Sequence, residues 1–194
     1  MDALAARDPR IATALAISGY PEPRENPAGY VTLLRTIVGQ QVSLASARAI
    51  WTKLASALER VEDPASMAAA GDEALRAAGL SRQKMSYARS LASEIVSGRL
   101  HLQNLPREDE AAISELVRVK GIGRWSAEIY LLFAEGRPDV WPAGDLAVQI
   151  AMGRILGLAD KPSERLLREF SEAWRPHRGA LAIFSWHHYK TPVL

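Results

Sequence analysis

Two closely spaced glycines and one acidic residue are the parts of this sequence best suited to chemistry. Gly121 and Gly123 lie between two helical patterns, and Asp145 follows twenty residues after Trp125. Glycines allow a tight turn and leave backbone N–H groups uncovered beside the N-terminus of the next helix, an arrangement that binds phosphate. A carboxylate further along the chain could act on the molecule that carries this phosphate. The combination favours chemistry on DNA.

Helical patterns must position this loop. Apolar residues at helical spacing lead into it (Ile113, Leu116, Val117) and out of it (Trp125, Ile129, Leu132, Phe133). Gly136 and Pro138 are typical of a helix end. A dinucleotide-binding fingerprint would need a strand before the glycines and a third glycine where Ser126 stands, so we exclude that interpretation.

Two interpretations of the loop remain. In the first, it is an ordinary helix–turn–helix connection that needs two small residues. In the second, it is a helix–hairpin–helix, in which the backbone N–H groups of Gly121 and Gly123 meet a DNA phosphate. Lys120 and Arg124 would add positive charge at the same place. Such contacts position a protein on DNA without reading its sequence.

Helical spacing also dominates the rest of the chain. Apolar stripes predict helices over 44–58, 88–95 and 166–174, with Ser43 and Ser163 as N-caps of the first and last of these. A segment that is apolar nearly all round, 145–156, predicts a buried helix, and a final helix is expected over about 178–189. The segment 21–27 is predicted to be a loop. Alternating β-branched runs bounded by turns are absent, so we predict an all-α protein of about ten short helices.

Composition excludes several classes of function. The 194 residues are 48% hydrophobic and 24% charged, as in an ordinary soluble globular protein of one compact domain or two small lobes. The lack of cysteine excludes disulfides, a thiol nucleophile, a thiolate zinc site and a protein-bound iron–sulfur cluster. No apolar run long enough for a membrane span and no secretion signal are present, so we expect a cytoplasmic protein. The net charge of +2 is weak support for nucleic-acid binding.

Four stretches together resemble a known family. They are 34–43 (Leu-Arg-Thr-Ile-Val-Gly-Gln-Gln-Val-Ser), 79–84 (Gly-Leu-Ser-Arg-Gln-Lys), the glycine loop through Asp145, and 174–186, which begins Trp-Arg-Pro-His-Arg and ends at Trp186. The chain resembles the helix–hairpin–helix DNA glycosylase superfamily, and more narrowly its alkylation-repair branch, the DNA-3-methyladenine glycosylase II family. This resemblance implies an all-α fold of two helical lobes around a cleft. It implies one glycosylase domain over 1–194 with its hairpin at about 113–135, and no extra N-terminal α/β domain.

The resemblance also implies an activity. It predicts a monofunctional DNA glycosylase of base excision repair that flips out alkylated bases, mainly 3-methyladenine and 7-methylguanine, and hydrolyses the N-glycosidic bond. Asp145 would stabilise the oxocarbenium-like transition state. Relatives that also cut the strand carry a lysine nucleophile where this chain has Trp125, so no lyase activity is expected. Three alternatives stay open: a helix N-cap role for Asp145, a glycosylase of the same fold for oxidised or mismatched bases, and a non-catalytic DNA-binding module.

The same resemblance assigns the walls of a base-binding pocket. Trp125 and Trp186 are the main candidates, with Tyr130 as a further one and Ile129 at the position of a tyrosine in better-known relatives. Aromatic faces attract the positive charge of a base alkylated at a ring nitrogen. Because Trp125 and Trp186 also lie on apolar helical stripes, a role in the core is the alternative.

The remaining assignments concern DNA contacts and ligands. Flipping a base leaves a gap, and the family would fill it from a wedge loop that matches Ser81, Arg82 and Gln83 here. An ordinary loop that connects two helices is the alternative. No cofactor is required, although the family often binds a structural monovalent cation through hairpin carbonyls, which match those of Val117, Val119 and Ile122. The expected partner is double-stranded DNA containing alkylated bases, with no membrane, and the protein is expected to be a monomer.

Two polar pairs have less specific interpretations. Gln40 and Gln41 follow an apolar helix and are predicted to make hydrogen bonds at a helix junction. His187 and His188 lie on different faces of one helix without clustered acids, so we predict packing or surface roles for them and no metal site.

Overall fold

The computed structural model describes residues 1–23 and 26–191, so the masked part of the predicted 21–27 loop, residues 24 and 25, lies outside it. Within the described ranges the chain forms α-helices and two 3₁₀ turns, and no β-strand, which confirms the predicted all-α class. The α-helices are α1 (Asp2–Ala5), α2 (Pro9–Ser18), α3 (Tyr30–Gly39), α4 (Leu44–Ala57), α5 (Pro64–Ala69), α6 (Asp72–Ala77), α7 (Arg82–Val96), α8 (Asp109–Leu116), α9 (Arg124–Phe133), α10 (Leu146–Leu156), α11 (Glu164–Ser171) and α12 (Arg178–Lys190). The 3₁₀ turns are Leu102–Asn104 and Glu172–Trp174. Among the helices of these ranges, none combines the length and the apolar character that a membrane span requires.

Side-chain caps start many of the helices. Ser43 and Ser163 accept hydrogen bonds from the backbone N–H groups of Ser46 and Leu166, as the sequence predicts. Ser81 caps α7 in the same way, through the N–H of Lys84 at 3.2 Å. Each cap satisfies a donor that the first helical turn leaves without a partner. The chain therefore marks its own helix starts with short polar side chains.

The fold divides into two compact units. One is Asn26–Tyr130, with α3 to α8 and most of α9. Its α7 packs against α3 and α5, and its core includes Leu33 and Ile37 of α3, Met67 of α5 and Leu91 of α7, all without solvent exposure. Burial of these apolar side chains is the main force that holds the helices together.

The other unit comprises the described residues 1–23 and 131–191. Here α10 packs against α12 and α2, and Met152 of α10 and Leu181 and Phe184 of α12 are fully buried. The prediction of a buried helix near 145–156 is confirmed, because most of α10 is enclosed. Leu146, at its first position, is 59% exposed, and Arg154 near its end is exposed as well.

One predicted apolar stripe is only partly buried. The apolar stripe predicted over 44–58 consists of Leu44, Ala47, Trp51, Leu54 and Leu58. Leu54 and Leu58 are buried and Trp51 is half-buried, whereas Leu44 is 80% exposed. The prediction for Leu44 is wrong because the first turns of α4 extend beyond the core of their unit, and periodicity does not show where a core ends.

Candidate functional site

The glycine loop is a tight connection between α8 and α9. Its N–H groups at Val119 and Ile122 donate to the carbonyls of Leu116 and Val119, at 3.2 and 3.0 Å. The side chains of Val119 and Ile122 are both buried. The predicted helix–hairpin–helix is therefore formed, with α9 starting directly after Gly123.

The structure explains the two glycines of the hairpin to different degrees. Gly121 has a φ of +85°, and a Cβ atom there would lie 2.2 Å from the ring of Tyr87. Both the left-handed backbone and the close ring therefore require glycine. Gly123 is exposed, has no such φ, and would have no atom within 4 Å of an added Cβ. Packing within the protein does not explain Gly123, but close approach of a ligand to the backbone would.

Two side chains from other helices hold the hairpin in place. The Gln40 side-chain amide, at the end of α3, donates to the Gly121 carbonyl at 2.8 Å, which confirms the predicted helix-junction role. Ser90 of α7 accepts the backbone N–H of Lys120 at 3.1 Å. The Lys120 side chain itself is exposed. These two contacts tie the loop to the helices beside it.

Arg124 lies in an ion-pair network within the protein. Its guanidinium donates to both carboxylate oxygens of Glu110 and, through Nε at 2.9 Å, to the buried carboxylate of Glu128. The hydrogen bonds to Glu110, more than any other cause, raise the pKa of Arg124. These ion pairs clamp α8 to α9. The phosphate contact assigned to Arg124 stays a prediction.

The predicted cation ligands are all main-chain oxygens of the hairpin. The carbonyls of Val117, Val119 and Ile122 are hard oxygen donors, which suit a monovalent cation. That of Val119 already accepts the Ile122 N–H, and a carbonyl oxygen has a second lone pair for a cation. These donors fit the expected ion, and its binding stays a prediction. The described residues contain no cluster of His, Cys, Asp or Glu that could hold a metal ion.

The predicted wedge residues begin α7. Ser81 is its N-cap, and Arg82 and Gln83 are exposed in the first turn, with the Gln83 amide donating to the Tyr87 hydroxyl at 2.6 Å. Ser81 and Gln83 line a concavity of about 380 Å³ together with Tyr87 and Gly121. The wedge assignment stays a prediction for all three residues.

Gln41, which lines the same concavity, is a candidate that the sequence did not reveal. Gln41 is exposed, and its φ is +56°. It is the one non-glycine residue with a positive φ in the part of the chain that the structure describes. Non-glycine residues in this conformation are strained and cluster at functional sites. The Gly-Gln-Gln run gives no sign of the φ value, so only the structure could identify it.

Asp145 is the N-cap of α10 and is also bound by a tryptophan. Its Oδ1 accepts the backbone N–H of Val148 at 3.0 Å and the indole N–H of Trp186, from α12, also at 3.0 Å. The carboxylate is half-buried, between the exposed Gly144 and Leu146. The capping role weighed from the sequence is real, and it fixes the side chain that was predicted to be catalytic.

The aromatic candidates differ in exposure. Trp125 is 48% exposed, so a core role does not hold for it. Trp186 is half-buried, packs against Phe133 with ring centroids 5.5 Å apart, and lines a concavity of about 300 Å³ with Phe133 and Ile183. This placement beside Asp145 favours a pocket role for Trp186.

Tyr130 and Ile129 are further inside the structure. Tyr130 is 3% exposed, and its hydroxyl accepts the Gly29 N–H at 2.8 Å. The assignment of Tyr130 to a pocket wall is therefore corrected to a core role, because its polar end is used within the protein. Ile129 is half-buried and stays a candidate.

The adjacent histidines have packing roles, as predicted. A nitrogen of each ring lies within hydrogen-bond distance of Ser18, His188 Nδ1 at 2.6 Å from the hydroxyl and His187 Nε2 at 2.7 Å from the carbonyl. They therefore join α12 to the end of α2.

Comparison with known proteins defines the class. The HhH-GPD superfamily base excision DNA repair protein model matches residues 34–176. The chain belongs to this superfamily.

Particular relatives agree with this class. The fold is similar to a crystal structure of DNA-3-methyladenine glycosidase from Bacillus halodurans, at 31% identity over 96% of this chain and 87% of that one, with a TM-score of 0.89. It is also similar to the Schizosaccharomyces pombe 3-methyladenine DNA glycosylase in complex with abasic DNA, at 28% identity over 92% and 90% of the two chains, with a TM-score of 0.77. The chain spans 58% of the length of a Bacillus subtilis relative and 55% of the Escherichia coli DNA-3-methyladenine glycosylase 2.

Proposed function

We propose that this protein is a DNA glycosylase that removes alkylated bases, mainly 3-methyladenine and 7-methylguanine, by hydrolysis of the N-glycosidic bond. The observation that carries the proposal is the carboxylate of Asp145, which is fixed by Val148 and by the indole of Trp186. Family membership and the names of the similar proteins support DNA as the partner and alkylated purines as the lesion.

Asp145 would act on the sugar. Departure of the base leaves positive charge on the deoxyribose, and a preorganised carboxylate stabilises an oxocarbenium-like transition state. The same carboxylate is suited to orient the attacking water. A purine alkylated at N3 or N7 is cationic and leaves as a neutral base, so a general acid at the base is unnecessary. The single carboxylate is sufficient for this chemistry.

Trp186 is the residue proposed to recognise the flipped base, and Trp125 is a further candidate for this role. The indole face of Trp186 borders a concavity, and Trp125 is half-exposed on the first turn of α9. Both rings offer a negative π face to a positively charged purine. Since no lysine stands at the position of Trp125, the reaction would end at an abasic site without strand cleavage.

The hairpin would bind the DNA backbone. Gly123 and Lys120 are both exposed, and the backbone N–H of the first and the ammonium group of the second suit a phosphate oxygen. A monovalent cation on the carbonyls of Val117, Val119 and Ile122 would add positive charge for the same phosphate. Gln41 is proposed as the wedge together with the Ser81–Gln83 turn, because it is exposed and held in a strained conformation.

The Asp145→Asn variant tests this function. Asparagine is as good an N-cap as aspartate, so α10 should stay intact while the charge is lost. We expect base release from methylated duplex DNA to slow by about 100-fold to 1,000-fold, with DNA affinity retained. Single-turnover kinetics and binding to undamaged DNA measure the two quantities separately.

Duplexes with single defined lesions separate the alternatives. The proposal predicts release of 3-methyladenine and 7-methylguanine, with the strand intact until alkali is added. Release of only oxidised or mismatched bases would identify a glycosylase of other specificity. DNA binding without release of any base would identify a non-catalytic module, and near-normal turnover by Asp145→Asn would remove Asp145 from the mechanism.

A further inference from the structure

A buried glutamine fastens the loop that carries Asp145. Gln149, in the first turns of α10, is 8% exposed, and its side-chain amide donates to the Ala143 carbonyl at 2.9 Å. Ala143 is fully buried and lies two residues before Asp145. The backbone N–H of Gln149 also donates to the Asp145 carbonyl, at 2.9 Å. One residue of α10 therefore holds the chain on both sides of Gly144.

A lysine sets the direction of this amide. Lys161 Nζ donates to Gln149 Oε1 at 3.2 Å. An ammonium group only donates hydrogen bonds, so the oxygen of the amide must face Lys161. The NH₂ group is then directed to the Ala143 carbonyl. Both ends of the buried amide are satisfied, and the contact has one orientation.

A glycine allows the lysine to reach this position. Gly153 lies one helical turn after Gln149 on α10, and an added Cβ there would be 3.3 Å from Lys161 Cα and from Pro162 Cδ. Residues 160–162 therefore lie directly against the backbone of α10. A larger residue at 153 would displace this segment and, with it, the ammonium group of Lys161.

We propose that Gln149 is a positioning residue for Asp145, with Lys161 as its orienting partner. The inference rests on the proposed role of Asp145. The loop from Trp141 to Asp145 has short internal hydrogen bonds, at 2.9 Å between the Ala143 N–H and Trp141 O and between the Asp145 N–H and Pro142 O. Gln149 ties this turn to the helix that Asp145 caps. A displacement of about 1 Å in a reacting group can cost about 100-fold in rate.

The Gln149→Leu variant tests the proposal, with Gln149→Glu beside it. Leucine removes the donor, and glutamate still accepts from Lys161 but cannot donate to Ala143. We expect both variants to lower the single-turnover rate of base release by about 10-fold to 100-fold at unchanged DNA affinity. Lys161→Met should lower the rate less. Leu4→Ala, in the core at α1, is the matched control: it should lower thermal stability and leave the rate unchanged.

A second measurement does not depend on catalysis. The indole N–H of Trp186 donates to Asp145 from another helix, so its NMR resonance in the DNA-free protein reports the position of the carboxylate. Gln149→Leu should shift this resonance, and Leu4→Ala should not. An unchanged indole resonance in Gln149→Leu would overturn the proposal whatever the rate. A shifted resonance with an unchanged rate would also overturn it. A shifted resonance in a protein whose wild type releases no base would refute the proposed function and leave the structural contact intact.

Discussion

Asp145 uses one carboxylate oxygen both to cap α10 and to receive the indole N–H of Trp186. The sequence left capping and catalysis as competing interpretations, but the geometry makes them compatible. The cap holds the carboxylate at the start of a helix, where the macrodipole stabilises negative charge. A side chain that must stabilise a short-lived cation benefits from being fixed in this way.

The hairpin glycines provide a prediction at the same scale. Gly121→Ala should destabilise the protein, by about 1–2 kcal/mol for the left-handed backbone and by about 1–3 kcal/mol more for the contact with the Tyr87 ring. Gly123→Ala should leave stability nearly unchanged, because nothing lies near the added methyl group. It should weaken DNA binding by roughly 10-fold by keeping phosphate from the backbone. Chemical denaturation and a DNA-binding titration of both variants check this, and normal DNA affinity of Gly123→Ala would contradict it.

Individual site residues were predictable to different degrees. Asp145 and the two glycines follow from residue type and spacing, and the structure gives each a defined place. The burial of Tyr130 and the contact between Asp145 and Trp186, forty-one residues apart, depend on tertiary packing. The positive φ of Gln41 has no signal in its residue type. Sequence patterns identify reactive groups better than they identify the groups that hold them.

At the level of elements, α8 and α9 are joined by more than their turn. Arg124 links Glu110, in the first turn of α8, to Glu128 of α9. Glu128 is 2% exposed, whereas Arg124 is 39% exposed. Water therefore reaches the Arg124 guanidinium but not the Glu128 carboxylate. The ion pair contributes to the rigidity of the hairpin.

Arg124→Met should destabilise the protein by about 1–2 kcal/mol, less than for a fully buried pair because water reaches the guanidinium. Arg165→Met is the control, since the Arg165–Glu169 pair of α11 is exposed at both partners. Pairs of that kind contribute little, at most about 1 kcal/mol. Urea unfolding of the two variants measures the difference. Equal stability of both variants would show that Arg124 does not clamp the hairpin.

Helices were the most predictable elements. The hairpin helices, α10 and α12 appear where periodicity places them, and Ser43 and Ser163 cap α4 and α11. Such features depend on neighbours within a few residues. Short helices such as α1, α5 and α6 carry too few residues for a periodic signal, and the exposure of Leu44 depends on where the core ends.

For the molecule as a whole, His188 makes stability depend on pH. Burial lowers the pKa of His188, and the nearby Arg154 and His187 lower it further. The folded state therefore favours the neutral ring, which lies 2.6 Å from the Ser18 hydroxyl. In the unfolded chain the ring takes up a proton near the ordinary histidine pKa of 6.5. Stability from His188 is thus fully present above pH 6.5 and is lost as the pH falls towards the lower folded-state value.

His188→Gln should reduce this dependence. We expect the free energy of unfolding of the natural protein to fall between pH 7 and pH 5 more steeply than that of the variant. Urea unfolding at several pH values measures both slopes, and carboxylates contribute equally to the two proteins. Equal pH dependence of the free energy of unfolding in the two proteins would show that protonation of His188 does not affect stability.

The combination of a capping role and a proposed catalytic role in Asp145 has a consequence for the evolution of gene copies. A gene copy released from selection for repair would still be under selection to keep a short polar side chain at the start of α10, since most other residues there would cost about 1 kcal/mol. Asparagine or serine would satisfy that demand as well as aspartate. Loss of enzymatic function in a lineage should therefore first become visible as a neutral capping residue at 145, within an otherwise intact fold.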